Sequence, residues 1–239
     1  MEDLQTRIAA LTPEQRALFE TRLRAAEGPA PDPGIPRRPD DGAPVPLSFA
    51  QRRLWFLDQL EPGGTVYNVS ASLRLRRSVA TDALRTALDG LTRRHEVLRT
   101  AFPAEGGEPA QVVAERLSPP LTETDLRKLP ESARGAAALR LCGEDKRRPF
   151  DLASGPLLRC LLLRLRDDEV LIFLTFHHTV FDGWSIGLLR RDLTALLHAA
   201  ETGEAADLPP LPIQYADFAT GQHRPLDGRR LDVRLASGL

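Results

Sequence analysis

Two adjacent histidines, His177 and His178, followed by Thr179, Val180, Phe181, Asp182 and Gly183, are the residues best suited by type and spacing to do chemistry. A strand points successive side chains to opposite faces, so at a strand end one histidine can face a channel while the other is buried beneath it. A histidine titrates near neutral pH. It therefore suits removal of a proton from an attacking amine, or donation of a hydrogen bond to a developing oxyanion. Asp182 lies four residues past His178, across a turn that Gly183 makes flexible. That aspartate can hold the loop in place through an arginine or through backbone amides. The same residues also admit a structural histidine pair. Zinc would need a third and a fourth ligand at fixed spacing, and His177, His178 and Asp182 with His198 downstream match no zinc pattern. No Gly-x-Ser-x-Gly elbow marks a serine nucleophile.

The elements that must position these histidines follow from the apolar pattern. Leu157–Leu165 and Val170–Phe176 are apolar runs joined by Arg166-Asp167-Asp168-Glu169, which predicts a hairpin whose second strand runs into the histidine pair. A helix is expected from about Ser185 to Ala200, with Ser185 as its cap and Ile186, Leu189, Leu193 and Leu196 on its buried side. Upstream, Ser48–Leu60 predicts an amphipathic helix with Leu54, Trp55 and Leu57 on or near the apolar side. Val69–Leu75 alternates like a half-buried strand. Thr81 is placed to cap a helix carrying Leu84, Leu88 and Leu91, and residues 131–147 predict a further amphipathic helix. Strands and helices interleave without a Rossmann glycine signature, a phosphate-binding loop or an internal repeat. The fold class is α/β.

Composition sets the frame. Of the 239 residues, 32 are basic and 33 acidic, for a formal net charge of -1, so no broad field for nucleic acid follows. The most apolar stretch, Val170–Phe176, is too short to cross a membrane, and the opening MEDLQTRIAALTPEQ has no signal-peptide pattern. A cytoplasmic protein is expected. Cys142 and Cys160 sit in apolar surroundings and are expected as buried, unpaired thiols. Residues 1–27 predict a small helical segment, with Thr12, Pro13 and Gln15 opening its second helix. Residues 28–46 hold seven prolines and are expected to form a stiff linker.

His177-His178-x-x-x-Asp182-Gly183 followed by Trp184-Ser185 resembles the signature of nonribosomal peptide synthetase condensation domains, a family with the chloramphenicol acetyltransferase-like fold. Other stretches resemble that family's motifs in the family's order. These are Ser48-Phe49-Ala50-Gln51-Arg52-Arg53-Leu54-Trp55, Arg94-His95-Glu96-Val97-Leu98-Arg99-Thr100-Ala101-Phe102, Arg148-Pro149-Phe150-Asp151-Leu152 with Gly155-Pro156-Leu157-Leu158-Arg159, and Tyr215-Ala216-Asp217-Phe218-Ala219. Tyr67-Asn68 falls where the first core strand begins.

The resemblance implies an amino-terminal lobe over residues 47–219, a mixed sheet flanked by helices. It implies amide formation between a donor thioester and an acceptor amine, each carried on the phosphopantetheine arm of a carrier protein, with no cofactor bound directly. His178 is the implied catalytic residue, as base or as positioning group. His177 is implied as its buried partner, Asp182 as a structural ion pair, Gly183 as room for the arm, and Arg53 as support for the region. Trp184 and Ser185 are candidates for the channel wall, although Trp55, Phe56 and Trp184 are read chiefly as packing. Implied partners are peptidyl or aminoacyl carrier proteins, a complementary carboxy-terminal lobe or an upstream synthetase subunit, with no nucleic acid and no membrane.

Thr220-Gly221 stand where the family has an apolar residue and a tryptophan, so residues 220–239 are expected as a divergent tail of a truncated half-domain. A carrier-binding module without catalysis, an inactive remnant, and an epimerising or ester-forming relative are the alternatives.

Overall fold

The computed structural model describes residues 34–39 and 44–223. The expected helical segment 1–27 and the far part of the tail lie outside the described residues. The chain divides after Pro36, and the elements below belong to the unit from Arg37 onward.

Helix α1, Phe49–Leu60, begins in a capping box. The Ser48 hydroxyl accepts from the Gln51 amide at 3.1 Å, and Gln51 Oε1 accepts from the Ser48 amide at 3.0 Å. Strand β1, Asn68–Leu75, leads into α2, Thr81–Arg94, and a 3-10 turn, Glu96–Arg99. Four two-residue strands follow, β2 to β5, between Thr100 and Val113. Then come β6, Leu121–Asp125, and α3, Glu131–Lys146. The expected hairpin is β7, Leu158–Arg166, with β8, Glu169–His177. Helices α4, Ser185–Thr202, and α5, Tyr215–Gln222, complete the described chain.

The main sheet has the order β1-β8-β7-β6. Its β1–β8 and β8–β7 pairs are antiparallel and its β7–β6 pair is parallel, so the sheet is mixed. Leu158, Cys160, Leu162, Val170, Ile172, Leu174 and Phe176 form one face of the hairpin and pack against Leu84, Leu88 and Leu91 of α2 and Leu189, Leu193 and Leu197 of α4. On the other face Leu161, Leu163 and Leu165 meet Ala138 and Cys142 of α3. Burial on both faces explains why β7 and β8 read as continuous apolar runs rather than alternating ones. Helices α2 and α4 touch closely at Gly90, where a Cβ would stand 2.9 Å from Leu196 Cδ2. Both cysteines are buried and unpaired. None of the described helices is long and apolar enough to cross a membrane.

Several expectations are corrected. Helix α1 buries the polar Gln51 most deeply, a residue that its apolar pattern does not mark, while Leu54 and Leu57 are half-buried and Trp55 packs on the core. Thr81 lies inside α2 and donates to Glu123 instead of capping. Ile186 is 48% exposed, so the buried side of α4 begins at Leu189. Within the expected linker, Arg37 and Arg38 are docked, while its residues 28–33 and 40–43 lie outside the described residues. Arg37 Nε donates to the Pro212 carbonyl at 2.8 Å, and Arg38 bridges Asp217 at 3.1 Å and Glu96 at 2.9 Å. Proline-rich composition says nothing about such ion pairs. Helix α5 also runs through Thr220 and Gly221, past position 219.

Candidate functional site

The site forms where β8 ends. His177 is its last residue and is 2% exposed. It faces the α3 side of the sheet, with Tyr67 and Phe150 set edge-on at centroid distances of 6.3 Å and 6.4 Å. The Thr179 amide donates to His177 Nδ1 at 3.3 Å, and the Thr179 hydroxyl lies 2.9 Å from the same nitrogen. A nitrogen that accepts an amide proton carries a lone pair, so His177 is neutral with its proton on Nε2. Burial, with His178 beside it, pushes its pKa down to about 4.

Beneath His177 lies a polar layer with no counterpart in the sequence-based expectations. The Arg159 guanidinium sits 4.0 Å over the Phe150 ring. Its Nε donates to both Asp145 carboxylate oxygens at 3.1 and 3.2 Å, and Nη2 reaches the Asp145 and Arg148 carbonyls at 2.6 Å. Thr175 Oγ1 donates to Asp145 at 2.5 Å. Asn68 Nδ2 caps the end of α3 through the carbonyls of Lys146 and Arg148 at 2.8 Å each. The available signal was an arginine inside the apolar run of β7. It cannot stay in a core without partners.

His178 is exposed on the other side of the strand end. Its amide donates to the Tyr67 carbonyl at 2.9 Å, and its Nδ1 lies 2.8 Å from the Phe181 carbonyl. A carbonyl only accepts, so Nδ1 carries a proton, and in the neutral ring the lone pair therefore lies on Nε2. Adjacent in sequence, the two histidines thus differ at Nδ1, which accepts in His177 and donates in His178. The loop alternates likewise. Thr179, Val180 and Phe181 turn inward, while Asp182, Gly183 and Trp184 are exposed.

Asp182 does not make the implied ion pair among the described residues. Its Oδ1 accepts from the Ser185 amide at 2.9 Å and the Ser185 hydroxyl at 2.7 Å. The carboxylate thereby closes the open amino-terminus of α4, the role expected of Ser185. Gly183 leaves open space, since a Cβ there would meet nothing within 4 Å. Trp184 is 94% exposed and Phe56 is exposed too, which corrects the packing reading for both, while Trp55 packs on the core as expected. Arg53 is exposed on α1. The contact that the structure shows from α1 to the loop is made by its neighbour Gln51, whose Nε2 donates to the Thr179 carbonyl at 3.3 Å. Below the loop a small groove of about 70 Å³ opens between α2 and α4, lined by Leu91, His95, Val97, Leu98, Phe181 and Leu188. His95 Nε2 and Arg94 Nε meet the fully buried Asp192 at 2.8 and 2.9 Å, tying the end of α2 to α4. Burial lowers the His95 pKa.

Residues 43–232 match the family model described as Condensation domain. Phosphinothricin tripeptide synthetase PhsC of Streptomyces viridochromogenes is 80% identical over 231 residues, which cover 97% of this chain and 21% of that protein. Malpibaldin synthetase of Mortierella alpina is 41% identical over 194 residues, covering 81% of this chain and 4% of that protein. Among solved structures, the X-domain in its complex with OxyB from teicoplanin biosynthesis is 30% identical with a TM-score of 0.67, covering 85% of this chain and 43% of that chain. The first condensation domain of the CDA synthetase, 24% identical with a TM-score of 0.64, shares the fold over 71% of this chain and 42% of its own. The chain therefore spans less than half of those solved chains and about a fifth or less of those curated relatives.

Proposed function

This chain belongs to the condensation-domain family, and we propose that it is the histidine-bearing part of a domain that joins two carrier-tethered substrates through an amide bond. The observation that carries the reading is the exposed His178, with its Nδ1 proton held by the Phe181 carbonyl and its Nε2 free to act. In the proposed reaction the acceptor amine attacks the donor thioester carbonyl, and a new C–N bond forms. Nε2 takes the proton lost by the attacking nitrogen. The C–S bond then breaks, and the departing sulfur receives that proton. A histidine in this role contributes about 10²- to 10⁴-fold in rate.

The substrates arrive on phosphopantetheine arms of carrier proteins, and the open space at Gly183 suits passage of such an arm. Trp184 and Ser185 border that opening, Trp184 by exposure and Ser185 by its bond to Asp182. Asp182 fixes the direction in which α4 leaves the loop. His177 supports the strand end from below and stays neutral through the working pH range. The remainder of the domain supplies the opposite wall, because positioning of two substrates needs both sides fixed.

The test is single-turnover amide formation between a donor-loaded and an acceptor-loaded carrier protein, with this chain alone and with the remainder of a condensation domain supplied. Product that depends on this chain supports the proposal. Its absence under both conditions, with the chain folded, contradicts it. A second reading, recruitment of a partner without catalysis, is favoured by the likeness to an X-domain solved as a complex with OxyB. It predicts carrier or enzyme binding with no product.

A further inference from the structure

His178 is exposed, and its loop neighbours Thr179 and Asp182 are already engaged elsewhere. Thr179 serves His177, and Asp182 serves Ser185. What orients the ring is the carbonyl of Phe181, 2.8 Å from Nδ1. That carbonyl is not fixed by a ladder, because β8 has ended at His177. Its own side chain fixes it. The Phe181 ring is 7% exposed and lies flat on Phe176, with centroids 4.0 Å apart and planes 11° from parallel. Phe176 is fully buried and pairs with Leu158 in the centre of the sheet. The Val180 amide also donates to the His177 carbonyl at 3.0 Å, which closes the turn between the two rings.

We propose that Phe181 is a positioning residue: its ring, anchored on Phe176, holds its carbonyl against His178 Nδ1 and so fixes the tautomer that leaves the Nε2 lone pair outward. Strand β8 thus carries the anchor, Phe176, two residues before the histidine that it helps to orient. The geometry stands on this chain alone. Its bearing on rate rests on the amide-forming reading above, where the wrong tautomer would present Nε2–H, which cannot accept the proton of the amine.

The experiment is a long-range ¹H–¹⁵N correlation of the full chain labelled at histidine, with the His178 signals identified by their loss in His178→Gln. The native chain is expected to show His178 in the Nδ1–H form. In Phe181→Leu and Phe181→Ala the tautomer ratio should move toward Nε2–H by about fivefold, the worth of one net hydrogen bond. A purely structural Phe181 would lower the melting temperature and leave that ratio unchanged, and an unchanged ratio in folded Phe181→Leu would overturn the proposal. Should Phe181→Ala unfold, the leucine variant decides alone. Because the ratio is read without substrate, a chain that forms no amide yet shows the shift would refute the functional reading and uphold the positioning role.

Discussion

At the end of β8 an inner region around His177 meets an outer region around His178, and the two are built differently. Inside, most polar groups near His177 are paired, Thr179 with the ring, Arg159 with Asp145, and Thr175 with the same carboxylate, while Asn68 Oδ1 is buried without a partner among the described residues. Outside, His178, Asp182, Gly183 and Trp184 are exposed, and a single carbonyl orients the histidine. The inner region follows the rules of a core, where an unpaired charge is strongly destabilising. The outer region follows those of a site, where a group is oriented on one side and left open on the other. The inner side should therefore govern stability and the outer side reactivity.

Removing the carboxylate beneath His177 should break this division most. Asp145→Ala strands the buried Arg159 guanidinium and should cost about 3–5 kcal/mol in urea unfolding. A loss under about 1 kcal/mol would show that the layer is solvated. Acid should act on the same side. His177 takes its proton near pH 4 in the fold, against an ordinary value of 6.5. Between those values the unfolded chain binds more protons, so stability falls as pH drops from 6.5 to 4. The fall should be on the order of 3 kcal/mol, and His177→Gln should remove that part of the slope. The outer side should show the smallest effect. Trp184→Ala should change stability by no more than about 0.5 kcal/mol, and a larger loss would mean that the ring packs on its own fold.

Much of this was legible in the sequence wherever one period dominated. The β7–β8 hairpin read clearly because apolar side chains fill both faces, and it led directly to the histidine pair. The opposite faces of His177 and His178 followed from strand alternation. Harder to read were features set by distant partners. Strand β6 is polar on its outer residues and gains its place by parallel pairing with β7, so its own pattern gives little warning. The α1 helix looked amphipathic through Leu54 and Leu57, yet it buries Gln51, which reaches the Thr179 carbonyl. Of the two roles that the spacing left open for Asp182, an arginine partner or backbone amides, the Ser185 amide shows the second, and the ion pair implied by the resemblance is not seen among the described residues. Ile186 keeps the period of α4 but precedes the point where that helix meets α2, so it stays exposed. The Arg38 bridge to Glu96 and Asp217 joins residues far apart in the chain, which no local composition encodes.

The most direct test of the proposed division of labour is the amide-forming rate of His178→Ala, with the remainder of the domain supplied and with unfolding of the variant measured alongside. The account predicts a loss of at least about 10²-fold in rate with an unchanged unfolding midpoint. A variant that keeps the native rate would contradict the assignment of His178 as the reacting base.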